Sequence, residues 1–412
     1  MLVGTTANNT IASLGGGDRI CSLEGDDFFT GGPGNDRIDG ESPERPQETK
    51  RRGGQMLGFR RVGGLVVSAF AAAIFAASAG AATVTPVMTG LDNPRGLAFG
   101  PEGGLYVTET GRGGTGPPCR VNRGLVTCYG PTGAISRLWH GVQERWVTGL
   151  PSMATPSGIE AEAGPEDISF HGRGAYVTMG LPGTPAVRAS LSPALALSGR
   201  LLKIAPSGRI KQIADPVSYE AANNPDGGLV DSNPYGVLAL PGRQIVTDAG
   251  GNSVLEVRAN GTVSTLAAYG ARPNPLPFGP PFVESVETAV AEGPDGALYV
   301  SELTGAPFPT GFARIHRIGP DGTTTVHASG LTAVVDLAFA DDGALYALQH
   351  GSCGPFFACP GSIVRVGAAP PHAVVYAALS RPSAFTIGPD GAFYVSNNGA
   401  SAGVGEVLRI QP

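Results

Sequence analysis

Polar side chains that could bind a metal or move a proton recur along this chain, each directly after a run of apolar residues. Glu109, Asp248 and Glu302 supply carboxylates, while His350 and Asn397 supply an imidazole and an amide at equivalent points of the pattern. Carboxylate, amide and imidazole groups together can hold Ca²⁺, Mn²⁺ or Zn²⁺. His350 could instead act as a base near neutral pH, or simply form a hydrogen bond. The sequence therefore predicts a divalent-metal or ligand site if the fold gathers these residues.

The elements that must position these side chains come from a repeated sequence motif. It is a tight turn with glycine near its end, followed by a strand of β-branched and aromatic residues that stops, in five copies of six, at a polar side chain. The copies occupy 101–109, 171–179, 241–248, 294–302, 341–350 and 389–397. Repetition at a period of roughly fifty residues indicates a propeller or solenoid, because one unit cannot bury its own apolar face.

Apolar residues alternate almost everywhere, and 63 glycines and 36 prolines suit many turns. No window outside the apolar run near residue 70 predicts an amphipathic helix. We therefore predict an all-β fold, a six-bladed β-propeller over 82–412 with four strands in each blade. The last unit has three strands before the chain ends, and 83–88 supplies the fourth. A ring closed in this way by both ends of the propeller has no open edge.

One rim of the predicted channel gathers the polar residues, because innermost strands start and second strands end there. The starts of innermost strands add Asn93, Arg95, Glu166, Asp167, Asn233, Tyr235, Glu287 and Asp336. The long loops between second and third strands emerge on the same rim. A concave, polar mouth under variable loops is a default binding site for a small molecule or a protein. A wet channel mouth also carries polar residues without any function, so both interpretations stay open.

Other features are predicted to take no part in chemistry. The glycine-rich motif at 111–116 is followed by prolines instead of a helix, so it is a loop and not a nucleotide site. The remaining histidines are predicted to be surface or blade-edge residues: His140, His171, His316, His327 and His372. A net charge of −6 with no basic stripe argues against nucleic-acid binding. We expect a monomer.

The cysteines favour an oxidising compartment. Cys119 and Cys128 lie in one predicted loop, and Cys353 and Cys359 lie in another. Two close pairs in long loops predict two local disulfides in an exported protein. Neither pair has the two-to-four-residue spacing typical of a zinc site. Cys21 is left without a partner.

The first 40 residues carry a different pattern, with a period of nine. Asp18, Asp27 and Asp36 are in phase, and 31–39 matches the consensus G-G-x-G-x-D-x-U-x. This segment resembles the calcium-binding RTX (hemolysin-type) repeat. The resemblance implies a short parallel β-roll in which these aspartates bind Ca²⁺. A disordered glycine- and aspartate-rich tail is the alternative, since three turns are few for a stable roll.

A secretory signal is predicted over 56–81, after a linker at 41–55. It has a basic start, an apolar run and a small-residue cleavage site near Ala81. An uncleaved anchor, the one predicted contact with a membrane, is the alternative. A signal preceded by 55 residues conflicts with export of the repeats. Our hypothesis is that translation starts at Met56 and that the mature protein is secreted or extracytoplasmic.

The propeller resembles the ScyD/ScyE family. The resemblance rests on 90–99 (GLDNPRGLAF), 102–109 (EGGLYVTE), the cysteine loop, 133–135 and 233–236 (NPYG), and it covers essentially all of 83–412. That family consists of secreted or periplasmic six-bladed propellers, some encoded beside genes for a sunscreen pigment. The resemblance implies a ligand- or protein-binding scaffold with no established catalytic activity.

Two related propeller classes supply alternatives. Glu109, Asp248, Glu302 and Asn397 are similar in type to the ligands of gluconolactonase-like metal hydrolases, which implies a metal-dependent lactonase or esterase. The opening at 91–109 also resembles soluble quinoprotein sugar dehydrogenases, although the copy at 164–179 offers no channel histidine as a base. A bound metal favours the first alternative, and a coloured cofactor favours the second.

Overall fold

The computed structural model describes strand residues 2–3, 10–12, 19–21, 28–30 and 37–39, and then residues 82–412 apart from 123, 160 and 192–194. The chain divides into two compact units, Met1–Phe75 and Ala76–Pro412. The second unit contains six antiparallel blade sheets, five of four strands and one, in blade 1, with a short fifth strand added, and their innermost strands contact one another around a ring. The predicted all-β, six-bladed propeller is confirmed.

The blades follow one another in chain order, and we label the strands of each blade A to D from the channel outwards. Those of blade 1 are Pro94–Phe99, Leu105–Glu109, Leu125–Trp139 and Val142–Ala154. Those of blade 2 are Pro165–His171, Gly174–Met179, Leu201–Ile204 and Ile210–Ala214. Those of blade 3 are Pro234–Leu240, Arg243–Asp248, Ser253–Arg258 and Val263–Ala268.

The second half of the ring has the same plan. Blade 4 consists of Glu287–Glu292, Leu298–Glu302, Ala313–Ile318 and Thr324–Leu331. Blade 5 consists of Val334–Phe339, Leu345–Gln349, Gly361–Arg365 and Ala373–Leu379. Blade 6 consists of Ala384–Ile387, Phe393–Asn397, Ala402–Gln411 and, as strand D, Thr83–Asp92.

Blade 6 closes the ring as predicted. Thr83–Asp92 pairs antiparallel with Ala402–Gln411, and Met88 lies opposite Val407. Both of these side chains are at most 1 % exposed. The closing pair is therefore sealed by apolar packing as well as by main-chain hydrogen bonds.

The repeated sequence motif specifies how neighbouring blades pack together. Alternation along strand B directs its tyrosine and its hydroxyl residue towards the next blade. Tyr106 packs on Phe170 with ring centroids 4.9 Å apart. The Oγ1 atom of Thr108 donates to the carbonyl oxygen of Glu166 (2.9 Å). The same residue types recur at these positions in most copies, so most copies encode a join to the next blade.

Short elements decorate the rim. Cys119–Asn122 pairs with strand C of blade 1, and Arg272–Pro273 pairs with Phe282–Val283 between blades 3 and 4. Helices α1 (Pro185–Leu191) and α2 (Pro216–Asn223) were not predicted. Each spans two turns, too few to show a helical period. A local signal for α2 does exist, since Asp215 caps the helix by accepting the Ser218 N–H (3.1 Å) and Pro216 is its first residue.

Both predicted disulfides, Cys119–Cys128 and Cys353–Cys359, are present. Among the described residues, no helix is long and apolar enough to cross a membrane.

In the first unit, five short strands pair in parallel as two sheets. Leu2–Val3, Arg19–Cys21 and Arg37–Asp39 form one sheet, and Thr10–Ala12 and Phe28–Thr30 form the other. This alternation follows the nine-residue period. The predicted calcium ligands Asp18, Asp27 and Asp36 lie outside the described residues, as do the segments 41–55 and 56–81. Calcium binding and the signal segment stay predictions.

Removing one hydroxyl between blades should destabilise the propeller. Thr247 is fully buried, and its Oγ1 atom donates to the Thr288 carbonyl (3.0 Å) and accepts the Gly236 N–H (2.8 Å). We expect Thr247→Val to lower the free energy of unfolding by about 1–3 kcal/mol, because two buried main-chain groups lose their partner. Urea unfolding measures this change. The control, Thr262→Val, alters an exposed turn residue, and equal stability of the two variants would contradict the assignment.

Candidate metal centre and ligand groove

Most polar ends of strand B cap the main chain of their own blade. Each accepts a backbone N–H from the segment that leads into strand A. The pairs are Glu109 with Asp92 N (2.7 Å), Asp248 with Asn233 N (2.6 Å), Gln349 with Thr332 N (2.7 Å) and Asn397 with Ser380 N (2.8 Å). The capping residue of blade 5 is Gln349, where strand B ends, and not the predicted His350.

Two of the predicted carboxylates are fully engaged. Glu109 also accepts Ser136 Oγ (2.5 Å) and Arg145 Nη2 (2.8 Å). Asp248 accepts Ser232 Oγ (2.5 Å) and the N–H of Gly251 (3.0 Å). Both side chains have an exposed fraction of zero. Their hydrogen bonds give them a structural role at the rim.

The channel mouth holds an ion pair. Arg95 Nε lies 3.2 Å from Glu166 Oε2, and the same guanidinium donates to the carbonyl oxygens of Gly399 and Ala161. Burial raises the pKa of Glu166 to about 7, although Arg95 opposes this rise. The pair links blades 1, 2 and 6.

Two aspartates narrow the channel below this pair. Asp167 Oδ2 accepts the N–H of Val237, and Asp336 Oδ2 accepts that of Phe385, both at 2.8 Å. Each bond joins strand A to strand A of the next blade. The cavity that they line measures about 10 Å³, which is room for roughly one water molecule. Burial raises the pKa of Asp167 to about 7 and that of Asp336 well above its ordinary value.

His350 lies just past strand B of blade 5. Its Nδ1 atom donates to the Pro382 carbonyl (2.9 Å), and its ring packs edge-on against Phe357 at 4.6 Å. Burial lowers the pKa of His350 to about 4. The imidazole is therefore neutral at pH 7 and is a weak base.

The predicted rim asparagines also bind the main chain. Asn93 Nδ2 donates to the carbonyl oxygens of Gly111 (2.7 Å) and Gly158 (3.0 Å). Asn233 Oδ1 accepts the N–H of Leu181 (3.0 Å). Both side chains brace loops that surround the channel mouth.

Blade 4 differs from the others because its rim carboxylates form a cluster. Glu287 begins strand A and lies opposite Glu302, which ends strand B. His316, on strand C, completes a group whose possible ligand atoms all lie within 4.8 Å of one another. The exposed fractions are 0 % for Glu287, 1 % for Glu302 and 5 % for His316. Two carboxylates and an imidazole are a suitable ligand set for Zn²⁺ or Mn²⁺.

Glu287 is the member that most requires a cation. Neither of its carboxylate oxygens has a hydrogen-bond partner. Burial raises its pKa well above the ordinary value, and the charge of Glu302 adds to the rise. Ser285 opposes part of this rise in the pKa of Glu287, but its hydroxyl donates to the Tyr269 carbonyl oxygen (3.4 Å). A buried, unpartnered carboxylate is costly, and a divalent ion would offset that cost.

The surroundings of the cluster orient the other two ligands. His316 Nε2 donates to Glu302 Oε1 (2.7 Å), and the Tyr269 ring stacks on the imidazole with centroids 4.0 Å apart. Glu302 Oε2 accepts Arg272 Nη2 (2.5 Å) and the N–H of Arg314 (3.1 Å). A bound metal would replace the proton that His316 and Glu302 share. Tyr269 and Arg272, which begin the connection between blades 3 and 4, thus contact His316 and Glu302 directly.

Sequence reasoning found part of this cluster. Glu287 and Glu302 were both predicted at the rim, but His316 was predicted to be a surface or blade-edge residue, which is wrong, since it is buried on strand C of blade 4. Its sequence signal is a single histidine between Ile315 and Ile318 in a strand. That signal does not reveal which side chain the histidine meets.

A separate groove of about 740 Å³ opens beside blade 1. Its walls are the loop segments 112–117, 129–132 and 156–158, together with Ala402 of blade 6. Gly113 has a φ of +58°, and a side chain there would collide with Cys128 and Ala154. The groove therefore has main-chain-rich walls, and its size is within the 300–1,000 Å³ or so of small-ligand sites.

Comparisons with known proteins give a fold likeness only. No protein-family model and no curated protein matches the chain. It is similar in structure to virginiamycin B lyase from Staphylococcus aureus, with 13% identity, coverage of 80% of this chain and 99% of that chain, and a TM-score of 0.44. A putative gluconolactonase is 12% identical, with coverage of 81% of this chain and 92% of that chain and a TM-score of 0.48. A glucose dehydrogenase is 16% identical, with coverage of 80% of this chain and 99% of that chain and a TM-score of 0.45. These values carry no information about activity.

The channel aspartates should make stability depend on pH. The folded-state pKa of Asp167 is about 7, against about 3.9 in unfolded chains. The folded protein therefore holds a proton at Asp167 that the unfolded chain has lost, so the contribution of this carboxyl to stability is greatest below pH 4 and falls as pH rises towards 7. We expect Asp167→Asn to make this slope shallower, by at most about 1.4 kcal/mol per pH unit.

Urea unfolding at pH 5, 6 and 7 measures the slope. The exposed Asp341 provides the control, and Asp341→Asn should keep the wild-type slope. Parallel slopes for wild type and Asp167→Asn would show that this carboxyl titrates normally.

Proposed function

We propose that this chain is an exported binding propeller that docks a protein or peptide on its loop-bearing face, the face where strands B end and strands A begin. The supporting observation is where large apolar side chains are exposed. Ten of them belong to the rim of this face: Val121, Leu125, Val126, Ile159, Leu229, Val230, Phe278, Phe282, Phe356 and Val404. Exposed apolar groups concentrated on one face are typical of interaction surfaces.

The remaining exposed large apolar residues in the described part of the chain follow no such pattern. Val84, Val326 and Val374 belong to outermost strands, and Trp139 and Val142 flank a turn on the opposite face. Isolated residues of this kind are ordinary on protein surfaces. The contrast favours the loop-bearing face as the side that meets a partner.

The disulfides support this proposal. Val121 lies between Cys119 and Cys128, and Phe356 lies between Cys353 and Cys359. A loop that is braced before binding loses less conformational entropy on binding. Disulfides also persist in oxidising compartments, which agrees with a secreted or extracytoplasmic protein. The groove beside blade 1 adds a concave site for a peptide segment on the same face.

A metal-dependent lactonase or esterase is the second candidate, favoured by the cluster of Glu287, Glu302 and His316. A hydrolytic metal needs an open coordination position that substrate can reach. The ligands here are at most 5 % exposed. This burial favours a structural ion over a catalytic one. The quinoprotein alternative gains no support from the channel, whose cavity of about 10 Å³ has no space for a cofactor ring.

A tryptophan in the groove should block peptide binding. Peptides are selected from a random displayed library against the wild-type protein, and their Kd is measured by calorimetry. A side chain at Gly116 would enter open space, so Gly116→Trp should fill the groove without disturbing the fold and weaken binding at least tenfold. Thr323→Trp, in an exposed turn on the opposite face, is the control. No selectable peptide, or equal affinity in both variants, would contradict the proposal.

Metal analysis tests the second candidate. We expect the purified protein to contain one equivalent of a transition metal that Glu287→Gln loses and Glu292→Gln keeps, because Glu292 is exposed at the other end of the same strand. The metal content is measured by mass spectrometry, and a panel of lactones and esters is then screened. Hydrolysis that disappears in Glu287→Gln and persists in Glu292→Gln would replace the binding function with the hydrolase.

A further inference from the structure

A second set of carboxylates lies between blades 2 and 3, around the last turn of α2. We call the set formed by Glu220, Asp226, Asp231 and Asp248 the acidic pocket. Glu220 lies just beneath the surface with 1 % of its area exposed, and neither of its carboxylate oxygens has a hydrogen-bond partner. Burial raises the pKa of Glu220 to about 8, and the other three carboxylates add to the rise.

The helix makes the position of Glu220 less favourable still. The N–H of Asn224, the left-handed C-cap of α2, donates to the Glu220 carbonyl. Glu220 therefore belongs to the last turn, where the helix dipole disfavours a negative charge. A carboxylate at this place is stabilised only by a counter-charge from elsewhere.

Two of the neighbouring acids, Asp248 and Asp226, have hydrogen-bond partners of their own. Asp248 is engaged by main-chain N–H groups and a hydroxyl, as described above. Asp226 accepts Asn252 Nδ2 (2.9 Å) and the N–H of Gly228 (2.8 Å). They remain negative charges that face Glu220, so the pocket as a whole attracts a cation.

The main chain at Gly251 lets the Glu220 carboxylate approach a second oxygen. Gly251 has no side chain, and a Cβ atom there would lie 2.7 Å from Glu220 Oε2 and 3.4 Å from the carbonyl oxygen of Asp231. The Glu220 carboxylate and the Asp231 carbonyl oxygen thus both lie beside Gly251. Asn224 Oδ1 is a further buried oxygen without a partner.

We propose that the acidic pocket binds Ca²⁺, with Glu220 as a bidentate ligand and the Asp231 carbonyl oxygen as a second ligand. The donors are all oxygen atoms, which suits a hard cation of flexible geometry and not Zn²⁺. The site is separate from the Glu287 cluster, which contains a histidine. The ion would tie α2 to the 224–232 loop, whose Leu229 is 80 % exposed on the loop-bearing face.

Calcium binding by the full chain, stripped with EDTA, tests this proposal. Equilibrium dialysis counts bound Ca²⁺, and thermal melting records stability. Because the N-terminal repeats are present in every variant, the difference between variants is the readout. We expect Glu220→Gln to bind one equivalent less than wild type. In EDTA, Glu220→Gln should melt at or above the wild-type temperature, because it removes an unpartnered charge. In Ca²⁺, the order should reverse.

Two further variants separate the sites. Glu292→Gln should behave as wild type, and Glu287→Gln should keep the calcium-dependent rise in melting temperature. Equal calcium stoichiometry in wild type and Glu220→Gln would overturn the proposal. So would a calcium-dependent rise that disappears in Glu287→Gln and persists in Glu220→Gln.

Discussion

The propeller depends on hydroxyl groups near the ends of strands B that bind the main chain of the next blade. Thr108, Thr247 and Ser396 each donate to a carbonyl oxygen of the following strand A, at 2.6–3.0 Å. Blade 5 has Leu348 at this position, and there Asp336 accepts the N–H of Phe385 instead. A sheet edge that faced its neighbour with apolar groups alone would leave these main-chain atoms unpaired, so the ring needs one such bond at each join.

This constraint explains why most polar side chains of the rim bind the main chain. Strand B ends where its blade turns back into strand A, and the turn exposes N–H groups that a carboxylate or amide must accept. Glu109, Asp248, Gln349 and Asn397 are used in this way. Among the described buried carboxylates, Glu220 and Glu287 have no hydrogen-bond partner for either oxygen, and they therefore stand out. Both face further acids, so these two carboxylates are the candidate cation-binding groups of the rim.

Much of the architecture was predictable because its signals are local. The glycine turn and the alternating strand lie within one copy of the repeated motif, so the number of blades and the closure of the ring follow from the sequence. Both disulfides follow from cysteines that lie close together in the chain. The candidate site was only partly predictable. Glu287 and Glu302 follow from their places at strand ends, whereas His316 joins them through strand C. Helix α2 was missed because two turns are too short for a period, although Asp215 and Pro216 mark its start.

By itself, the sequence determined the six blades, the polar rim and the disulfide-braced loops, since each arises from residues close together in the chain. Only the tertiary structure decided which rim carboxylates have an ion-pair partner. Glu109 is neutralised by Arg145, which lies 36 residues away, and Glu302 by Arg272, 30 residues away. Glu287 has no such partner. A carboxylate's state depends on the charges and dipoles that folding brings within a few ångströms, and those come from elements distant in the chain whose positions no local pattern encodes.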